Sequence, residues 1–131
     1  MTDLDEGMKK TMMGLVETNM KKHFIKSKMG WDEKKITSEM FRDPTAWYLI
    51  AEESEKAAGN IVGFSHFRFD MDCSCDEVLY VYDIQIDSEF QGKGLGNFMM
   101  TSLETIGEYN LKNKFFSMLC SLGIKFFLKV G

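Results

Sequence analysis

Apolar residues near the start of the chain recur at steps of three and four, which is the spacing of one face of an α-helix. This pattern predicts an amphipathic helix over residues 4–24, capped by Asp3, and a shorter helix over residues 34–40. The pair Asp43-Pro44 then ends the helical pattern, because proline has no amide hydrogen and disfavours helix in the residue before it. The first third of the chain is therefore predicted to be helical.

The middle third alternates apolar and polar residues, and a period of two is typical of half-buried β-strands. Strands are predicted over residues 47–51, 61–70 and 77–86, joined by turns over residues 55–60 and 72–76. The last of these strands leads into a glycine-rich stretch. A ligand held by that stretch would lie beside the strand's C-terminal end, so we expect chemistry at this junction.

The final third mixes both patterns. Residues 95–109 are predicted to form a helix with one apolar face, made of Leu95, Phe98, Met99, Leu103 and Ile106. Residues 114–120 are predicted as a strand and residues 123–130 as a short helix. Together these elements predict one α+β domain over residues 1–131.

Composition narrows the class of protein. The 131 residues and 44% hydrophobic content suit one folded domain with a single core. A net charge of −4 argues against nonspecific nucleic-acid binding, which uses a basic face. The acidic N-terminus lacks the order of a secretory signal, and the apolar stretch over residues 115–130 is interrupted and too short to span a membrane. We expect an intracellular location and no membrane partner.

Three cysteines fit a reducing compartment better than a disulfide framework. Cys73 and Cys75 form a C-x-C pair that could bind a metal, but Cys120 is the only other thiol and no histidine lies close to the pair in sequence. Free thiols in a hairpin loop are the preferred interpretation, and we expect no metal.

The strongest candidate for chemistry is Gln91-Gly92-Lys93-Gly94-Leu95-Gly96, between the third strand and the next helix. Glycines let backbone N–H groups turn toward an anion, and the following helix adds the positive end of its dipole. The order differs from a Walker loop, which ends in Gly-Lys-Ser/Thr, and from a Rossmann loop. From these residues alone, an unrelated phosphate-binding domain stays open as an alternative.

The form Q-x-x-G-x-G, directly after a strand that carries Tyr80, Tyr82 and Asp83, resembles the acetyl-CoA loop of the GNAT acetyltransferases. Further strings resemble the N-alpha-acetyltransferase D (NatD) branch of that family: Thr18-Asn19-Met20, Gly30-Trp31, and the stretches over residues 46–51, 64–70 and 76–80. The resemblance implies the GNAT fold, an α/β (α+β) arrangement with a mostly antiparallel mixed sheet flanked by helices.

The resemblance also implies a function. It is transfer of an acetyl group from acetyl-CoA, as co-substrate, to the free N-terminal amine of core histones of the four and two-A types. Histone tail peptides and acetyl-CoA are the implied partners, the implied state is a monomer, and the implied location is cytoplasmic and nuclear.

Residue roles follow from the same resemblance. It implies that Tyr82 and Asp83 are catalytic, with Asp83 accepting the amine proton. Four positions correspond to contacts with the histone tail, namely Phe24, Asp70, Asp72 and Tyr80. Nine correspond to contacts with acetyl-CoA, namely Ile84, Gln85, Ile86, Gln91, Gly92, Lys93, Gly94, Leu95 and Gly96.

The reaction asked of such a site is direct aminolysis. An α-amine has an unperturbed pKa of about 7.7–8.0, so part of it is already neutral near pH 7. Backbone N–H groups can stabilise the oxyanion, and no cysteine nucleophile is needed. His66 is interpreted as a packed core residue and His23 as a surface residue.

The end of the chain departs from the NatD pattern. An asparagine-bearing loop is missing after the strand predicted over residues 114–120, and the last two strands of the family are not found. We therefore expect a GNAT domain that is incomplete at its C-terminus. This leaves an alternative function, a non-catalytic module that binds acetyl-CoA or a histone tail.

Overall fold

The computed structural model of the protein describes residues 4–28, 30–42, 45–53, 60–71, 73, 77–109, 117–119 and 124–130. Its helices are α1 (Glu6–Lys26), α2 (Glu33–Phe41) and α3 (Leu95–Tyr109), with a short 3-10 turn at Ser88–Phe90. All three α-helices lie where the apolar spacing predicts them. The predicted turns over residues 55–60 and 72–76 fall almost entirely outside the described residues.

Aspartates cap the first two helices. Asp5 Oδ1 accepts a hydrogen bond from the Met8 amide at 2.8 Å, and Asp32 Oδ1 accepts one from the Lys35 amide at 3.1 Å. The prediction of Asp3 as the first cap was wrong, because α1 begins at Glu6 and the amides of its first turn lie within reach of Asp5.

Five strands form one sheet in the order β3-β2-β1-β5-β4. Their bounds are Trp47–Glu53 for β1, Ile61–Met71 for β2, Glu77–Ile86 for β3, Ser117–Leu119 for β4 and Ile124–Val130 for β5. Every pairing among these described strands is antiparallel, so the parallel component of the expected mixed sheet does not occur among them. β4 lies within the strand predicted over residues 114–120, whose other residues are outside the described part.

The helix predicted over residues 123–130 was wrong, because this segment forms β5. It pairs with β1 along its whole length, from Ile124 opposite Glu53 to Val130 opposite Trp47. The segment is rich in β-branched and aromatic residues, which favour strands, and pairing satisfies backbone groups along the second edge of β1. Seven residues are also short for a helix that lacks a predicted cap.

The sheet separates two packed layers. On one face, α1 and α2 pack against β1 and β2 through a cluster that includes Met12, Val16, Met40, Tyr48, Ile50 and Phe64. On the other face, α3 packs through a cluster that includes Leu49, Ala51, Phe67, Leu95, Met99, Leu103 and Ile106. Consecutive residues of β1 thus enter opposite layers, as the alternation of a strand requires.

Candidate active site

A β-bulge in β3 sets the geometry of the site. β2 and β3 pair His66 with Asp83 and then Phe67 with Val81, so Tyr82 is an extra residue in β3. An extra residue interrupts the alternation of side chains between the two faces. Val81 packs in the α3 layer, whereas Tyr82 and Asp83 both line a cavity on the opposite face. The bulge therefore brings the two predicted catalytic side chains, which are consecutive in sequence, to the same side of the sheet.

This cavity, called the acceptor cavity below, has a volume of about 980 Å³ and lies between α1, α2, β2 and β3. Its α1 wall is apolar, with Val16, Met20 and Phe24. The residues at α2 and its ends contribute acidic and basic side chains, and the strands β2 and β3 form the floor of the cavity. The remaining lining residues are Gly30, Asp32, Lys35, Ile36, Ser38, Glu39, Met40, Arg42, His66, Arg68, Tyr82, Asp83 and Gln85.

Asp83 is half-buried in the floor of the acceptor cavity. Burial raises the pKa of its carboxyl, and this outweighs the opposite effect of hydrogen bonds from the Gln85 side chain and the Ile84 amide. The Gln85 bond is short, with Nε2 donating to Asp83 Oδ1 at 2.7 Å. A carboxyl in this environment holds a proton more readily than a solvated aspartate, as a group that exchanges protons with a substrate must.

Tyr82 lies at the exposed side of the cavity, with 47% of its surface accessible. Its ring stacks on His66 at a centroid distance of 5.3 Å, and the Arg68 guanidinium lies 4.3 Å from its centroid. His66 stacks in turn on buried Tyr48 at 5.2 Å. These contacts fix the plane of the Tyr82 ring while leaving it accessible, and they confirm His66 as a packed core residue that also borders the site.

The predicted substrate residues divide between the cavity and its surroundings. Phe24 lines the cavity wall and packs edge-on against Trp31 at 5.7 Å. Tyr80 is 56% exposed and lies outside the cavity lining, and its ring centroid is 4.8 Å from that of Tyr82. Asp70 is exposed on β2, also outside the lining, and Asp72 lies outside the described residues.

The glycine loop has the conformation that an anion cradle requires. Gly92 and Gly94 have φ values of 75° and 85°, which L side chains rarely adopt, and a Cβ at either would meet open space. The Gly94 carbonyl accepts the Phe98 amide at 3.0 Å, so α3 starts directly after the loop and its first amides point toward it. These features fit the phosphates of a CoA molecule, which the loop and the N-terminus of α3 would hold.

The other predicted cofactor residues contribute in different ways. Lys93 is exposed at the loop, with its ammonium 5.5 Å from the Phe90 ring centroid. Leu95 is buried in the α3 layer, and Ile84 and Ile86 pack against the same cluster, so only their backbones remain for a ligand. Gly96 lies close to β3, because a Cβ there would stand 3.2 Å from Ile86 Cδ1. Gln91 anchors the loop by donating from Nε2 to the Ile86 carbonyl at 2.9 Å.

The sequence did not predict two side-chain contacts of the site. Gln85, which was predicted to contact acetyl-CoA, has its side chain in the acceptor cavity, where it bonds to Asp83. Asn19, on α1, was not singled out as a site residue, yet its Nδ2 donates to Gln85 Oε1 and to the Ile86 carbonyl, both at 3.0 Å. The bulge explains the first contact, since it puts the side chain of residue 85 on the cavity face.

None of the described helices is long and apolar enough to cross a membrane. No group of three or more metal-ligating side chains comes together among the described residues. Cys73 is exposed, whereas Cys75 and Cys120 lie outside them.

The bulge in β3, the glycine loop after it and the helix that starts at that loop are together typical of an acyl-CoA-dependent transferase fold. The profile of the acetyltransferase (GNAT) family matches residues 14–117, and the chain belongs to this family. The prediction of the GNAT fold is thereby confirmed.

Among the solved structures that are similar to this chain are two acetyltransferases. A ribosomal-protein-alanine N-acetyltransferase from Brucella melitensis biovar Abortus 2308 matches with a TM-score of 0.54 and 19% identity, over 77% of this chain and 65% of that one. AAC(6')-Iy, in complex with the bisubstrate analogue CoA-S-monomethyl-acetylneamine, matches with a TM-score of 0.52 and 16% identity, over 83% of this chain and 71% of that one. At such identities the likeness shows the fold alone. The chain spans slightly less than two thirds of the Brucella protein.

Proposed function

We propose that the protein is an N-terminal protein acetyltransferase that moves an acetyl group from acetyl-CoA to a free α-amine. The single observation that carries this proposal is the bulge in β3. It puts Tyr82 and Asp83 together on the floor of the acceptor cavity, on the strand that leads into the glycine loop. A donor bound at the loop and an amine bound in the cavity would thus meet at these two side chains.

In the proposed reaction the amine nitrogen attacks the thioester carbonyl carbon. The carbon–sulfur bond breaks, CoA leaves as a thiolate, and the nitrogen gives up one proton. Asp83 is the proposed acceptor of that proton, and Tyr82, which lines the same cavity, is the proposed proton donor to the thiolate. Backbone N–H groups of β3 are the proposed donors to the oxyanion.

We further propose the histone N-terminal tail as the acceptor, and with it a cytoplasmic and nuclear location. The supports are the strings that resemble the NatD branch and the exposed carboxylate of Asp70 near Tyr80 on the adjacent strand. The cavity itself is mixed in charge, because three described acids and three described bases line it. Selection of a basic tail is therefore assigned to Asp70 and Tyr80 outside the cavity rather than to the cavity walls. The Brucella neighbour is a ribosomal-protein-alanine N-acetyltransferase, which raises a second N-terminal acceptor to compare.

The test is acetyl transfer from labelled acetyl-CoA to a peptide that begins Ser-Gly-Arg-Gly. The matched controls are the same peptide with a blocked N-terminus and one that begins Ala-Gly-Arg-Gly. Labelling of the free serine peptide alone supports the histone-tail proposal. Equal labelling of the alanine peptide would keep N-terminal acetylation and reject serine selectivity. If none is labelled while CoA still stabilises the fold, the alternative of a non-catalytic binding module replaces the proposal.

A further inference from the structure

Two amide side chains form one chain of hydrogen bonds that runs from α1 to Asp83. Asn19 Nδ2 donates to Gln85 Oε1 at 3.0 Å, and Gln85 Nε2 donates to Asp83 Oδ1 at 2.7 Å. Gln85 is 6% exposed and Asn19 is half-buried, so water competes little for these bonds. We call this arrangement the amide relay.

The amide relay has a direction. Asn19 occupies the oxygen of the Gln85 amide with a donor, so the Gln85 nitrogen is the end that faces Asp83. A flipped Gln85 would set two donors against each other at Asn19 and an amide oxygen against the carboxylate. Asn19 therefore fixes the orientation in which Gln85 stabilises the ionised form of Asp83.

The relay also reaches the glycine loop. The Ile86 carbonyl accepts from Asn19 Nδ2 at 3.0 Å and from Gln91 Nε2 at 2.9 Å. Gln91 is the first residue of the loop, so one carbonyl connects α1, the end of β3 and the loop. Asn19 thus contacts both Gln85, which bonds to Asp83, and the Ile86 carbonyl, which bonds to the glycine loop.

We propose that Asn19 and Gln85 are positioning residues that orient the Asp83 carboxylate as proton acceptor and connect it to the glycine loop through the Ile86 carbonyl. The catalytic part of this inference rests on the proposed acetyl transfer. The hydrogen-bond relay does not, and it can be measured in a protein that has no activity.

Several other charged or titratable groups line the same cavity as Asp83. They are His66 and Arg68 on β2, Tyr82 on β3, and Asp32, Lys35, Glu39 and Arg42 at α2, whereas α1 contributes only apolar side chains to the cavity. Each variant used as a test must leave these groups in place. Asn19 and Gln85 carry no charge, so replacing either one changes the relay without changing the number of charges.

The test is a titration of the Asp83 side-chain carboxyl carbon by ¹³C NMR, assigned with Asp83→Asn. Gln85→Leu removes the donor at nearly constant volume, and its titration midpoint should rise by roughly one to two pH units. Asn19→Leu should raise the midpoint by a smaller amount, because Gln85 remains but is free to turn. Ser102→Ala is the matched control, since it removes a buried hydroxyl that bonds within α3, and it should leave the midpoint unchanged.

The double variant distinguishes a relay from two separate effects. If Asn19 acts through Gln85, the double variant should titrate like Gln85→Leu alone. An unmoved midpoint in Gln85→Leu, or additive shifts in the double variant, would overturn the relay. If Gln85→Leu does not fold, Asn19→Leu decides the question, because an unshifted midpoint there contradicts the fixed orientation of Gln85.

The connection to the loop is tested with CoA. Adding CoA should shift the Asn19 side-chain amide signal in a ¹H–¹⁵N spectrum along the same titration curve as the Gly94 amide. A Gly94 shift without an Asn19 shift would refute the connection. If acetyl transfer is measurable, the acidic limb of kcat/KM should move with the NMR midpoint in each variant. Absence of all transfer would reject the proposed function and leave the NMR result to decide the relay.

Discussion

Replacing Asp83 with asparagine should remove most of the activity while making the fold more stable at neutral pH. Asparagine keeps the size of the side chain and an oxygen that can accept the 2.7 Å hydrogen bond from Gln85. The acceptor cavity therefore keeps its shape, and the change is the loss of the charge and the replacement of one acceptor oxygen by an NH2 group. Activity and stability should consequently move in opposite directions.

The loss of activity can be bounded. A positioned general base contributes typically about 10²–10⁴ in rate. Since an α-amine with a pKa of about 8 is already about one-tenth neutral near pH 7, the base has a modest task. We therefore expect turnover to fall about 100-fold, near the lower bound of that range. CoA affinity should be unchanged, because Asp83 lies on the cavity side of the sheet.

The gain in stability follows from the direction of the pKa shift. Burial raises the pKa of the Asp83 carboxyl above its ordinary value of 3.8, so the folded protein binds this proton more tightly than the unfolded chain. The corresponding stability is complete below the unfolded pKa and is lost as the pH rises through the folded pKa. At neutral pH the buried carboxylate is a net cost, which asparagine removes.

Three measurements examine this reasoning. Steady-state acetyl transfer gives turnover, calorimetry gives the CoA dissociation constant, and thermal unfolding over a pH series gives Tm. Wild type should have the lower Tm near pH 7, and the difference should shrink as the pH falls through the raised pKa of Asp83. Unchanged turnover would refute the role of Asp83 as base. A lower Tm of the variant at neutral pH would refute the claim that burial of the carboxylate is costly.

Three further changes test other parts of the structure. Gly94→Val should weaken CoA binding about tenfold or more, since a β-branched residue at a φ of 85° is strained by about 1–3 kcal/mol. The control Gly14→Ala, in open space on α1, should leave CoA binding unchanged. Equal CoA affinity in both variants would remove the loop from the site. Tyr48→Phe should lower the free energy of unfolding in urea by about 1–3 kcal/mol, because the Met40 carbonyl loses the buried hydroxyl that donates to it. An unchanged midpoint of urea unfolding would contradict that hydrogen bond. Met99→Ala should cost about 2–5 kcal/mol in the same assay, because Met99 is fully buried between α3 and the sheet, and a cost below about 1 kcal/mol would mean that this layer is loosely packed.

The sequence predicted the elements whose pattern is local. Three patterns act within a few residues: the apolar spacing of three and four on α1, the alternation along β2 and β3, and the glycines before α3. The structure has these elements close to the predicted bounds. The segment at Ile124–Val130 was misread, because its strand character depends on pairing with β1, far away in sequence. Short apolar runs do not reveal such partners.

The site was predictable in its residue types and less so in its geometry. The resemblance led to Tyr82 and Asp83, but strict alternation would have put them on opposite faces, and only the register between β2 and β3 reveals the bulge. The contact of Asn19 with Gln85 joins residues 66 positions apart. No spacing rule reaches that far, because the contact depends on how α1 packs across the sheet.

The division of β1 into two sets of side chains gives the molecule two compartments that share only backbone. Tyr48 and Ile50 pack under the wall of the acceptor cavity, whereas Leu49 and Ala51 pack under the helix that begins at the glycine loop. Under the proposed function, a substitution of Tyr48 or Ile50 is expected to change the cavity for the amine and leave CoA binding intact. A substitution of Leu49 or Ala51 is expected to do the reverse. Directed evolution can therefore vary the two sets of β1 residues in separate libraries, one for acceptor preference and one for cofactor affinity. Asn19, which bonds to the shared backbone at the Ile86 carbonyl, is the residue to keep constant in both libraries.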